Sequence, residues 1–229
     1  MTVRKNKHKE ANIMEQSQTR WIYILLALCI LAGAFFPKKV FADSKWLKHF
    51  RNDSLLNTYK TCYAMSDDAV WVGTNGDGIL VYKADGTSKQ FTNKNTRSNP
   101  SFNDGLKEDS ITCLAIDEIN GMVWIGTISG VARCNVEGKE WARYTYKEGL
   151  PNDVIRDIDV DSMGNVWVGT PSGVAMLVAG NEKFTTFAHE AATGSVHSIK
   201  VKNDAVWVGN VSGLIGCYKD GVWKTIMGY

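Results

Sequence analysis

After residue 43 the chain alternates apolar and polar positions over short runs. Turns containing Gly, Asp or Asn break these runs, and no stretch keeps a helical period. Period-two alternation bounded by such turns predicts half-buried strands joined by hairpins. One pattern recurs four times: Val70-Trp71-Val72-Gly73-Thr74, Val123-Trp124-Ile125-Gly126-Thr127, Val166-Trp167-Val168-Gly169-Thr170 and Val206-Trp207-Val208-Gly209-Asn210. The Trp-to-Trp spacings are 53, 43 and 40 residues, a period that signals a repeat architecture. Before each Trp run lies an apolar strand. In the second and third repeats it ends at Asp117 and Asp161, ahead of Asn120-Gly121 and Gly164-Asn165; the other two repeats turn at Asp67-Asp68 and Asn203-Asp204. Gly accepts positive φ and Asp accepts hydrogen bonds from nearby amides, so these are hairpin signals. After each Trp run come a Gly turn, a third strand (79–82, 131–134, 174–178, 214–218), another Gly turn and a fourth strand with aromatics (89–91, 141–144, 184–187, 222–225). Four short hairpinned strands per unit predict an all-β fold, a β-propeller of four-stranded blades at about 57–92, 108–147, 152–188 and 195–226.

Successive strand residues face opposite sides. Trp71 and Gly73 therefore share one face, and Val70, Val72 and Thr74 the other. A large ring beside a glycine suits close packing of one blade on the next, so the four Trp read as core rather than as a sugar-stacking ladder. The blade count is less regular. Trp46-Leu47-Lys48-His49-Phe50 resembles a fourth strand with no blade before it. About four blades plus one extra N-terminal strand result. They form a closed four-bladed propeller, an incomplete one completed by self-association into a homo-oligomer, or a fragment of a longer propeller.

The order apolar-x-x-apolar-x-x-Asp, Gly-x-Val-Trp-Val-Gly-Thr and Ser-Gly-Val resembles the two-component regulator propeller repeat. Asp104-Gly105-Leu106 and Glu148-Gly149-Leu150-Pro151-Asn152 are similar to the Gly-Leu run that leads into its first strand. The resemblance covers residues 45 to 229. It implies a propeller of the periplasmic part of hybrid histidine kinases, where such repeats sense extracellular ligands, often glycans. Two positions depart from the pattern: Ser66 stands where Asp is expected, and Asn210 stands where Thr is expected. No kinase, dimerisation helix or second span is visible up to Tyr229, so the resemblance implies a recognition module rather than the signalling output.

Charge and leader refine this picture. Residues 1–20 carry Arg4, Lys5, Lys7, Lys9 and Arg20, ahead of an uncharged run from 21 to 36. Pro37 breaks that run, and Val40-Phe41-Ala42 offers a cleavage site. This is the pattern of a signal peptide. Left uncleaved, residues 21–36 would be an inner-membrane anchor, and that segment is the only membrane contact expected. Leu28 before Cys29 speaks against a lipoprotein site. Either way residues 43–229 are expected in the periplasm or outside the cell. The net charge of +2 over 229 residues conceals an uneven split: residues 43–229 hold 19 Lys and Arg against 22 Asp and Glu, about −3. Phosphate binding needs clustered cations, so nucleic acid is not an expected partner. Cys62, Cys113, Cys134 and Cys217 have no metal-like spacing and read as small core residues, with a disulfide as the alternative.

No nucleophile elbow, zinc motif or phosphate loop is present, so no enzyme activity, cofactor or metal is expected. His197 falls on a first strand. Asp157 and Asp159 share one face of another, where two carboxylates could hold a cation or face the central channel. The loops joining strands four to one and two to three are the expected ligand face. Their candidate residues are Asn75, Asp77, Arg97, Asp104, Glu148, Asn152, Asp157 and His189. The expected partner is an extracellular ligand such as a glycan, or an envelope protein. The other readings are an oligomerising envelope scaffold and a lyase-type propeller enzyme in which His189 and His197 converge with an acid.

Overall fold

The computed structural model describes residues 59–97 and 104–227. The leader at 1–42 and the extra strand at 46–50 lie outside the described residues. Residues 57–229 form one compact unit, whose described part contains four antiparallel four-stranded sheets, each a simple meander. The first blade is β1 (Lys60–Met65), β2 (Ala69–Thr74), β3 (Ile79–Lys83) and β4 (Ser88–Phe91). The second is β5 (Ile111–Asp117), β6 (Met122–Thr127), β7 (Gly130–Asn135) and β8 (Ala142–Tyr144). The third is β9 (Asp157–Val160), β10 (Val166–Thr170), β11 (Gly173–Leu177) and β12 (Thr185–Thr186); the fourth is β13 (Val196–Lys202), β14 (Ala205–Asn210), β15 (Ile215–Lys219) and β16 (Val222–Met227). A helical turn, α1 (Asn93–Thr96), follows the first blade. The first strands are neighbours: β5 packs on β1 and on β9, and β9 packs on β13. These are propeller blades, with β1, β5, β9 and β13 innermost. No comparable packing returns from β13 to β1.

The turn residues act as their chemistry requires. Asp117 Oδ1 accepts from the amides of Ile119 and Asn120 at 3.1 and 3.0 Å. Asp161 Oδ1 accepts from Met163 and Asn165, and its Oδ2 from the Trp167 indole N–H at 3.0 Å. In the first blade Ser66 Oγ accepts from the Ala69 amide at 3.2 Å, replacing the missing Asp. In the fourth, Asn203 and Asp204 both take positive φ, 52° and 57°, as a two-residue primed turn demands. The Thr closing each Trp run bridges the next turn. Thr74, Thr127 and Thr170 donate to the carbonyls of Gly78, Gly130 and Gly173 at 2.7, 2.9 and 2.9 Å. Each also accepts one turn amide. Asn210 keeps the accepting role, taking the amides of Ser212 and Leu214.

The blades join through the Trp-Gly face. The glycines of the repeat leave room for the next blade. A Cβ on Gly73 would lie 2.8 Å from Ile111, one on Gly126 2.8 Å from Ile155, and one on Gly169 2.7 Å from Val196. None of these glycines needs its backbone freedom, so the constraint is space alone. Beside each glycine the Trp is covered by its own fourth strand and by the next blade. Trp71 stacks on Phe91 with centroids 5.7 Å apart, and Trp167 on Phe187 at 5.4 Å. Trp124 meets Tyr144 at 5.6 Å. The three resulting cores each combine one blade's Trp face with the next blade's Val face.

The fourth blade breaks this pattern on its Trp face. Trp71, Trp124 and Trp167 are 1%, 3% and 1% exposed, whereas Trp207 is 39% exposed. Cross-strand register sets Lys200, Trp207, Cys217 and Lys224 in one row. Trp223 turns to the opposite face, against Trp167, Phe187 and Tyr218. The nearest atom to a Cβ on Gly209 is Ser198 Oγ at 3.4 Å. Lys200 and Lys224 stand in the same row as Trp207 on this face.

Gly126→Ala is therefore expected to lose about 1–3 kcal/mol through overpacking, and Gly209→Ala less than about 0.5 kcal/mol. Likewise Trp167→Ala should cost about 3–5 kcal/mol, and Trp207→Ala about 1 kcal/mol or less. Urea unfolding of the four variants checks this; equal losses within either pair would contradict the exposed Trp face of the fourth blade.

Candidate functional site

Where the innermost strands begin, their register slips. The shift falls between Lys60 and Cys62, between Ile111 and Cys113, and between Val196 and Ser198. Thr61, Thr112 and His197 are the extra residues. The third blade has Arg156 at this place, next to the paired Asp157, with its amide donating to the Gly169 carbonyl at 2.9 Å. A bulge removes a residue from the ladder and re-aims its side chain. Each blade thus brings one polar residue, Thr61, Thr112, Arg156 or His197, to the same end of its innermost strand. Thr112, Arg156 and His197, with Val154, line one cavity of about 400 Å³. Arg156 and His197 are exposed. Lys200 pairs with Asp159, and among the described residues Arg156 has no acidic partner.

Two aspartates that the motif search passed over fix the border of this mouth. The Asp109 carbonyl accepts from the amides of Gly76 and Gly78, and its Oδ1 from Asn93 at the start of α1, 2.6 Å away. The Asp153 carbonyl accepts from Gly130, and its Oδ1 from Tyr146 at 2.7 Å. Each ties a connector both to the preceding blade's two–three turn and to the turn that begins the connector. Their signal is a shared spacing, Asp two residues before Ile111 and Ile155, the side chains that enter the glycine gaps.

The loop residues expected to meet ligand fall into two groups. Asn75 and Asn152 lie at the mouth end. Asn75 Oδ1 accepts from Ser110 at 3.2 Å, and Asn152 Nδ2 donates to Ser172 at 3.1 Å. The Asp77 amide donates to Thr74 and its carbonyl accepts from Gln90. Arg97, Asp104 and Glu148 instead surround Arg143 on the outer strand β8. Burial, then Arg97, hold the Arg143 guanidinium below the ordinary arginine range, while Asp104 and Glu148 pull it upward. Glu148 Oε2 also accepts from Thr145 N and Oγ1, closing a capping box. His189 caps the 3-10 turn Glu190–Ala192 through Nδ1 and stacks on Trp223. On these partners His189 belongs to the outer edge of the fourth blade, while His197 belongs to the mouth. Cys62, Cys113, Cys134 and Cys217 are free. Burial raises the Cys62 thiol to about 11 and also raises Cys113 and Cys134. Among the described residues no group of His, Cys, Asp and Glu is placed to hold a metal.

Residues 149–172, which contain Asp153, Arg156, Asp157, Asp161 and the third Trp run, match the family model of the two component regulator propeller. The chain carries a regulator propeller repeat. Its blades share their fold with the extracellular domain of BT4673 of B. thetaiotaomicron, described as a one component system. That match has 22% identity and a TM-score of 0.58, and covers 79% of this chain and 24% of that one. The extracellular domain of BT3049, described as a hybrid two component system of the same organism, matches at 23% identity and a TM-score of 0.58, over 74% and 23%. The computationally designed Ika4 protein matches at 15% identity and a TM-score of 0.52, over 71% and 92%. The chain therefore spans about a quarter of the length of the two bacterial domains. No curated protein matches it.

In this regulator propeller repeat Asp157 and Asp159 neither pair with Arg156 nor gather around a cation. They point from the Trp face toward the next blade. Asp157 Oδ2 accepts from the Ile199 amide at 2.8 Å. Asp159 Oδ2 accepts from the Val201 amide at 2.8 Å and from Lys200 Nζ at 2.6 Å. The carboxylates thus satisfy the free edge of β13, at the positions where the first two blades place Cys62 and Ala64, Cys113 and Ala115.

Burial raises the Asp157 pKa above its ordinary value, against the lowering effect of the Ile199 and Ile158 amides. A carboxyl raised in the fold stabilises it most when protonated. Its contribution is full below an unfolded pKa of about 3.9 and is lost as pH rises through the higher folded value. Asp157→Asn retains one acceptor and cannot ionise. The variant should flatten the fall in stability just above about pH 4, read as Tm against pH. An unaltered slope would refute this assignment.

Proposed function

We propose that the chain is an exported, non-enzymatic recognition module. In this reading its propeller binds a small extracellular ligand, a glycan included, at the mouth where the innermost strands begin. The observation that carries the reading is the placement of one polar residue per blade at that mouth, bulged in three blades, with Thr112, Arg156 and His197 lining a common cavity. A packing element would be apolar there, as the residues one step deeper are: Leu114, Ile158 and Ile199 are buried. The cavity volume of about 400 Å³ falls in the range of small-molecule sites. Both the repeat match and the fold shared with extracellular domains of bacterial regulators support a sensing role outside the cytoplasm. Residues 1–42 would supply the export signal.

Calorimetric titration of the full chain against a panel of neutral and acidic oligosaccharides tests this reading. Binding should occur and should disappear in His197→Trp, which fills the mouth from an exposed position. Binding that survives the plug would move the site elsewhere. A panel without binders, together with capture of one specific envelope protein, would replace ligand recognition by scaffolding.

A further inference from the structure

Given that reading of the mouth, the geometry points to a carboxylate as the group that the mouth recognises, and we propose that the ligand is a small polyhydroxylated monocarboxylate. The argument rests on what the cavity wall offers. Arg156 brings five N–H donors in a planar fork that matches a carboxylate. Among the described residues no acid neutralises it, although Asp157 is its neighbour in sequence, because the Asp157 carboxylate is turned away to the amides of Ile158 and Ile199. An arginine left without a counter-charge in a cavity is available to a ligand anion.

The rest of the wall restricts which anion. His197 adds a ring N–H, Thr112 a hydroxyl that can donate or accept, and Val154 an apolar side. Thr61, at the same place in the first blade, is an exposed hydroxyl beside that lining. No lysine lines the cavity, and the connectors that border it end in aspartates, Asp109 and Asp153, whose carboxylates lie on the amides of Asn93 and Tyr146. A dianion such as phosphate would want more positive charge than one guanidinium, whereas a monocarboxylate is matched by Arg156 alone. The hydroxyls of Thr61 and Thr112 then suit ligand hydroxyls, and Val154 the carbon side of a sugar-like ring.

The test uses the full chain and three probes: glucuronate, glucose and inorganic phosphate. Glucuronate should bind at least about tenfold more tightly than either of the others, the difference expected for one charge-assisted fork. Arg156→Gln should weaken glucuronate by about 10–100-fold and leave glucose within about twofold. Arg156→Lys, which keeps the charge and loses the fork, should fall between. Arg156 is exposed, so each variant should keep the parent Tm, which is measured alongside. Equal binding of glucose and glucuronate, or an Arg156→Gln variant that binds as the parent does, would overturn the carboxylate and leave neutral-ligand recognition standing. Tighter phosphate binding would overturn the monocarboxylate in favour of a more highly charged anion. No glucuronate binding at about 10 mM would also overturn it. The recognition reading itself would then stand or fall on the oligosaccharide panel.

Discussion

The rest of the unit depends on a gap the width of one methyl group. At Gly73, Gly126 and Gly169 the absence of a Cβ lets Ile111, Ile155 and Val196 of the following blade reach the sheet. Once that aliphatic side chain is seated, the neighbouring Trp has a wall on its second side, and its own fourth-strand aromatic closes the first. Close packing of this kind tolerates little change in volume. The side chain that enters each gap opens the next blade's first strand or stands just before it, so the gap also sets where that strand begins. Blade spacing, strand start and the position of the bulged residue are therefore consequences of one steric fact.

The four blades are not equivalent, and the gradient along them runs through two positions of the innermost strand. Opposite the Gly and Trp stand Cys62 and Ala64, then Cys113 and Ala115, then Asp157 and Asp159, then Ser198 and Lys200. The first two pairs make apolar joints. The third makes a polar joint, in which two carboxylates meet the edge amides of β13. Burying carboxylates is costly unless they are hydrogen-bonded, and each of these accepts backbone amides on both oxygens. The fourth pair faces solvent, with Trp207 beside it. The chain thus passes from a dry joint to a hydrogen-bonded joint to a wet face.

Much of this was legible before any coordinates. Fourfold recurrence of the Trp run placed the strands, and the pairing of Trp with Gly on one face identified the packing joint. Asp117 and Asp161 were readable as turn acceptors because Asp before Gly has a local mechanism. The mouth was not legible in the same way. Strict alternation assigns Thr61, Thr112 and His197 to a strand face, and only a slip in register takes them out of it. Asp157 and Asp159 were readable as facing the central channel or holding a cation, but a sequence cannot say which edge amides will lie opposite. His197 was readable as a first-strand residue and His189 as a loop residue, but not that one lines the cavity and the other caps an outer turn. The contacts of the two aspartates lie between blades, and the period of a single repeat does not encode them.

That division explains how a packed repeat can carry a variable site. Residues on the Trp and Val faces are held by volume, and a change at any of them is transmitted to the next blade. A residue at the start of the innermost strand is held less tightly, because it is outside the ladder, although the Thr112 hydroxyl still borders the Gly126 gap. The same position can therefore be Thr in two blades, Arg in the third and His in the fourth while the strands around it keep one geometry. The stability of the blades and the chemistry of the mouth can thus vary separately, although they begin one residue apart.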